Sequence, residues 1–370
     1  MKILITNTRL DGFTGTEVVV RDLALELQRQ GHTPLVYSPL LGAMAQEIRN
    51  HGIEVANELN NLSSVPDVIH GHHHPQVVEA LLYFPSLPAI YVCHSATAEI
   101  DEPFYFPRIL RYVAVDNHCK TRLEKAHDIP AQRIEVVLNA VDLRRFLPRA
   151  ALPSRPQRAL VFSNYASRYT HLPAVRRACR RMGLKFDVLG SLAGTCVADP
   201  ESVLPRYDLV FAKARCALEA MAAGSAVVLC DFAGAGPMVT SENFDHLRAM
   251  NFGAGVLVNP LQPEYIRAEI ARYDATDAGR VSQRVRQEAG VEAATRRWIA
   301  LYTEVIEESR RSQPDREGEL RALANYLRKW NYAAGSDAAR NVVKRIRRIP
   351  IVGYGLHHFA RRILRRWSTG

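Results

Sequence analysis

The stretch from Asp208 to Asp231, DLVFAKARCALEAMAAGSAVVLCD, constrains the fold more than any other. Two short apolar runs, Asp208–Ala212 and Ser225–Cys230, flank Arg215–Ala223, where Leu218, Met221 and Ala222 fall on one helical face. Gly224 follows the last turn, a place where the left-handed conformation is cheap only for glycine. Two strands joined through a helix run parallel, because only a crossover can return the chain to the sheet in the same direction. The turn from the first strand into the helix therefore lies at the carboxyl end of the sheet, where open α/β sheets bind ligands. That turn carries Lys213 and Arg215, and Glu219 follows in the helix.

The same alternation runs through the chain. Strands are expected at Lys2–Thr6, Pro34–Tyr37, Asp67–His70, Ile90–Cys93, Val113–Val115 and Ile134–Leu138. Helices are expected at Val18–Gln30, Met44–His51, Gln76–Leu82 and Asn117–His127. Leu147–Gln157 holds three prolines and two arginines and reads as a linker. Beyond it come a strand at Ala159–Phe162, a helix at Leu172–Met182, a strand at Phe186–Leu189 and the central unit. A last strand at Val256–Val258 and helices near 263–273, 277–289 and 292–309 complete the pattern. This predicts two doubly wound α/β domains, 1–147 and 158–310, joined by a linker at 148–157 and followed by a tail, 311–370.

A hydrophobic fraction of 47% supplies real cores and excludes a disordered chain. The six cysteines are scattered and form no CxxC, which fits buried thiols in a reducing compartment. MKILITNTRL turns polar after its apolar start, so it reads as a first strand rather than a signal peptide. No run approaches the roughly 18 apolar residues of a membrane span. Of the ten excess positive charges, nine lie between 340 and 370, where there is no Asp or Glu. The body is thus nearly neutral, which argues against nucleic-acid binding.

LEAMAAGSAVV followed by Asp231 resembles the nucleotide-sugar-binding segment of the family 4 retaining glycosyltransferases, which have the GT-B fold. The segment from Val115 to Phe146, which holds Asn139-Ala140-Val141-Asp142 near its end, is similar to the family's close of its first domain. The PDVIHGHH run and the TGTE loop match more loosely. The resemblance covers roughly residues 1 to 310. It implies two Rossmann-like domains facing a cleft, a nucleotide-sugar co-substrate, retention of anomeric configuration and no required metal. Glu219 stands at the family's second Glu; the first would fall at Phe211 and is absent.

By the same resemblance, Gly15 and Thr16 would lie beside the donor phosphates, where a glycine and a helix start favour anions. His94, after the strand IYVC, would sit close to the transferred sugar as the candidate catalytic residue. Arg168 is the cation after the first strand of the second domain. Lys213 and Arg215 flank a helix start and are expected to share the diphosphate. Glu219 would accept from a ribose diol. Gly234 and Gly236 are placed in a loop against the donor. His70, His72, His73 and His74 do not form a metal site, because neighbours on a strand point to opposite faces.

In the tail, Val342, Val343, Ile346 and Ile349 form one apolar stripe, and Leu356, Phe359, Ile363, Leu364 and Trp367 a second, both among arginines. Such helices fit an anionic membrane surface. The expected protein is a cytoplasmic enzyme, peripheral at the inner membrane face. It would move a sugar to a cell-envelope glycan or lipid-linked acceptor. A non-catalytic GT-B scaffold and a sugar-nucleotide epimerase are the alternatives.

Overall fold

The computed structural model describes residues 1–329. The first half runs β1 (Lys2–Thr6), α1 (Gly15–Arg29), β2 (Thr33–Tyr37), α2 (Ala43–Asn50), β3 (Glu54–Ala56), β4 (Val68–His72), α3 (His74–Tyr83), β5 (Ala89–Cys93), β6 (Ile109–Ala114), α4 (Asn117–Glu124) and β7 (Ile134–Val136). The second runs β8 (Arg158–Phe162), α5 (Leu172–Arg181), β9 (Lys185–Leu189), α6 (Pro200–Val203), β10 (Leu209–Ala212), α7 (Ala214–Ala222), β11 (Ala226–Asp231), β12 (Gly234–Met238), α8 (Phe244–Ala249), α9 (Pro263–Ala271), α10 (Ala275–Glu288) and α11 (Val291–Arg311).

Seven parallel strands form the first sheet in the order β3-β2-β1-β4-β5-β6-β7. The second sheet has the order β12-β11-β10-β8-β9, parallel except for the β11–β12 hairpin. Helices cover both faces, which is why the strands are continuous apolar runs: Ile3, Leu4 and Ile5 in β1 and Val227–Cys230 in β11 are all essentially inaccessible. In each sheet the strand order reverses beside a central strand, between β1 and β4 and between β8 and β10. Those crevices are where such sheets take ligands.

Three details depart from the sequence-based reading. The expected strand at Val256–Val258 is instead a short 3-10 turn, Ala254–Val256, entered from Gly253 with Gly255 in its middle. The strand expected to stop at His70 runs on to His72, and His73 turns the chain into α3 with φ +62°. The long helix α11 packs across α1 and the strands β4, β5 and β6 of the first sheet. It is held there by a Tyr302 hydroxyl–His70 Nδ1 hydrogen bond of 2.7 Å and by the Arg111–Glu308 pair at 2.7 Å.

One close approach shapes the second crevice. A Cβ added to Gly190, just after β9, would lie 1.9 Å from the carbonyl oxygen of Ser163. That neighbour is backbone and cannot yield. Gly190→Ala is therefore expected to cost about 1–3 kcal/mol of stability, the range for overpacking, read as a fall in the urea midpoint. An unchanged midpoint would show that the loop after β8 moves freely.

Candidate functional site

The loop after β1 is drawn tight by Glu17, whose carboxylate accepts from the backbone N–H groups of Gly12 (2.8 Å) and Thr14 (2.7 Å). Thr14 caps α1, so the helix begins at Gly15, three residues earlier than expected. Gly15 is exposed, and nothing lies within 4 Å of where its Cβ would be. Asn164, following β8, donates to the carbonyl of Phe13 at 3.3 Å and so ties the two crevices together.

Between the crevices lies a buried ion triplet. The Arg215 guanidinium pairs with Asp22 on α1 and, through Nε at 2.8 Å, with Glu219 one turn along α7. Arg21 also holds Asp22, at 2.7 Å. Burial opposes the Arg215 charge, but Asp22 and Glu219 more than offset it and raise its pKa. Burial likewise opposes the Asp22 carboxylate; Arg215 and Arg21 together overcome this and lower its pKa. Glu219 faces only one of these arginines directly, and burial prevails, raising its pKa.

The triplet separates two small hollows. One, about 40 Å³, is lined by Asp22, Arg215, His70, His72, His94 and Thr295 among others. The other, about 90 Å³, is lined by Gly15, Arg21, Asn164, Gly190, Arg215 and Glu219 among others. Small-molecule sites usually measure about 300–1,000 Å³, so each hollow is smaller than a whole nucleotide-sugar site.

A third cluster sits at the carboxyl edge of the second sheet. Lys213 is the only residue between β10 and α7. Its Nζ lies 3.5 Å from Asp231 at the end of β11, and over the rings of Tyr165 (5.2 Å) and Phe232 (4.7 Å). Those two rings are 50% and 48% exposed, high for residues of their size. Ser163 donates to Asp231 at 3.2 Å. Ala214, next to Lys213, holds φ +48°, an uncommon conformation for a residue with a side chain, which concentrates at functional sites.

The structure thus brings Gly15, Glu219 and Arg215 around one hollow and sets His94 on the other side of Arg215. Thr16 shares the turn of Gly15 but lines neither hollow. Three expectations need correction. Arg215 is not a free cation for a diphosphate, because both its charge partners are carboxylates buried with it. Arg168 stacks on Tyr169 (4.6 Å) and lines a separate groove with Arg158, Arg176 and Arg180. Gly234 and Gly236 lie in β12, not in an open loop, and a Cβ there would come within 2.4 Å of the Leu257 carbonyl or 3.0 Å of the Val256 carbonyl. The chain itself fills the space these glycines leave.

Asp22, Tyr165 and Phe232 were not singled out from sequence; His72 was weighed only as a metal ligand and Asp231 only as the end of the central unit. Tyr165 follows the end of β8 by three residues and Asp231 ends β11, a signal that could have found them. Among the described residues no group of three or more His, Cys, Asp or Glu is placed to hold a metal.

Residues 13–145 match the family model described as Glycosyltransferase Family 4. No curated protein matches the chain. A glycosyltransferase from Rickettsia africae ESF-5 superposes with a TM-score of 0.60 at 16% identity, over 82% of this chain and 98% of that one. Anabaena Alr3699/HepE, solved in complex with UDP and glucose, gives 0.60 at 15% identity, over 82% and 99%. A putative UDP-N-acetylglucosamine 2-epimerase from Listeria monocytogenes gives 0.50 at 11%, over 85% and 98%. With two doubly wound sheets and a family 4 match in the first domain, the chain is a GT-B protein resembling the family 4 glycosyltransferases.

Proposed function

We propose that the chain transfers a sugar, with retention, from a nucleotide-sugar to a cell-envelope glycan or lipid-linked acceptor. The observation that carries this is Lys213 at the second crevice. A cation there, at the N-terminus of α7, faces the place where a diphosphate would lie. The exposed rings of Tyr165 and Phe232 offer the donor a stacking surface. Glu219 spends one carboxylate oxygen on Arg215, and its other has no partner among the described residues. That oxygen would take a ribose hydroxyl beside Gly15. The similarity to Alr3699/HepE, a protein solved with UDP and glucose, supports the donor class.

In this reading no metal is required, since Lys213 and the helix terminus supply the positive charge. The protein positions the reactants and stabilises the leaving diphosphate. His94 lies on the first-domain side, toward the sugar. The enzyme would work at the inner face of the membrane, held by residues 340–370; that segment lies outside the described residues. No helix among the described residues is long and apolar enough to cross a membrane.

Lys213→Ala is expected to weaken donor binding about tenfold or more, the loss of a charged hydrogen bond. Calorimetric titration with the wild-type chain's preferred nucleotide-sugar measures this, and an unchanged Kd would contradict the assignment. One observation favours a second reading. Phe211 is buried in β10, and a single residue joins β10 to α7, so that turn presents no sugar-facing carboxylate. A sugar-nucleotide epimerase or a scaffold would fit this. An epimerase consumes donor without acceptor, and a scaffold consumes none.

A further inference from the structure

His72 ends β4 with its side chain inaccessible to solvent. Its Nδ1 lies 2.5 Å from Nε2 of His94, which follows β5. Its other nitrogen, Nε2, is buried with no hydrogen-bond partner among the described residues. Burial keeps both rings neutral, holding His72 well below the ordinary histidine range and pushing His94 down to about 3. One proton must therefore sit between the two rings.

Two arrangements provide it. If His94 donates from Nε2, His72 accepts at Nδ1 and must carry its own proton on Nε2, leaving a buried N–H with no acceptor. If His72 donates from Nδ1, its Nε2 is a bare lone pair. A buried N–H without an acceptor is the rarer defect in proteins, and an unfilled acceptor is tolerated more often. The second arrangement is therefore favoured. It puts the His94 proton on Nδ1, because the proton of an imidazole sits opposite the nitrogen that accepts. Nδ1 of His94 has no protein partner among the described residues, and the half-buried ring lines the hollow shared with Asp22 and Arg215.

We propose that His72 is a positioning residue that locks His94 in the Nδ1–H tautomer, so that His94 meets a cleft ligand only as a hydrogen-bond donor. The proposal rests on the reading of this cleft as a sugar-transfer site for its meaning, but not for its test. A donor edge suits a sugar hydroxyl or a ring oxygen. It carries no lone pair with which to take a proton from the acceptor, so His94 is not a general base.

The test is long-range proton–nitrogen correlation NMR on the full chain labelled with 15N-histidine, with His94→Gln identifying the signal. In the wild type, Nδ1 of His94 is expected at the protonated, pyrrole-type shift and Nε2 at the bare, pyridine-type shift. His72→Leu should exchange the two, returning His94 to the Nε2–H form that free imidazole side chains prefer. His72→Asn sets an amide near the lost Nδ1 and should preserve the wild-type pattern. A protonated Nε2 in the wild type overturns the proposal, as does a protonated Nδ1 that persists in His72→Leu. Should His72→Leu not fold, the wild-type and His72→Asn spectra decide the matter. No donor is needed, so a correct tautomer in a chain that binds no nucleotide-sugar would refute the proposed function alone.

Discussion

Arg215→Met is expected to lower the free energy of unfolding by about 3–5 kcal/mol, the cost of removing one member of a buried ion pair. Arg215, Asp22 and Glu219 are all more than nine-tenths buried. Without the guanidinium, two carboxylates face each other across the domain boundary, with Arg21 beside Asp22 and the charge of Arg145 acting on both. The Ala140 carbonyl also loses its 3.3 Å contact with Arg215. The triplet as a whole is not expected to be strongly stabilising, because desolvating its members opposes their attraction. The triple replacement Asp22→Leu, Arg215→Met, Glu219→Leu should therefore recover most of the loss. Urea unfolding of both variants checks this. A single variant within 1 kcal/mol of wild type, a margin usual for exposed pairs, would mean that the triplet is solvated in solution.

Asp101→Asn is expected to stabilise the fold by about 2–3 kcal/mol at pH 8 and to leave it nearly unchanged at pH 4. Burial raises the Asp101 carboxyl from its ordinary 3.8 to about 6, against the opposing pull of the His94 N–H and the Arg122 charge. The folded state thus holds this proton more tightly than the unfolded chain does. The contribution of Asp101 to stability is full below pH 3.8 and is lost as pH rises through about 6. Asparagine removes the titration and keeps an oxygen to accept from the backbone N–H of His94, a bond of 3.0 Å in the wild type. Denaturation curves of the two proteins across this range, subtracted from each other, cancel the remaining carboxylates. A flat difference would show that Asp101 titrates normally.

The strands and the central unit were legible because burial on both faces makes them apolar runs that charge and glycine interrupt. The second domain's crevice was legible for the same reason, since its position follows from parallel pairing. What lay out of reach are contacts between residues far apart in the chain. Nothing in the sequence couples Asp22 to Arg215, so Arg215 reads as a free cation at a turn until α1 is placed beside α7. A helix near 292–309 was visible, but a helix does not name its partner, and Tyr302 and Trp298 close on His70 of the first sheet. The histidine run was read through strand alternation. Alternation does separate neighbours, yet it sets His70 and His72 on one face, with ring centroids 4.7 Å apart, where β5 brings His94 to them.

The central claim is that the cleft binds a nucleotide-sugar, and a thermal-shift screen of UDP-, GDP-, ADP- and dTDP-sugars tests it most directly. One nucleotide class should raise the melting temperature, since a ligand at about 100 times its Kd adds about 2.7 kcal/mol to the folded state. The shift should shrink in Lys213→Ala and in Glu219→Gln. A chain that no nucleotide-sugar stabilises, or one stabilised equally in both variants, would contradict the account.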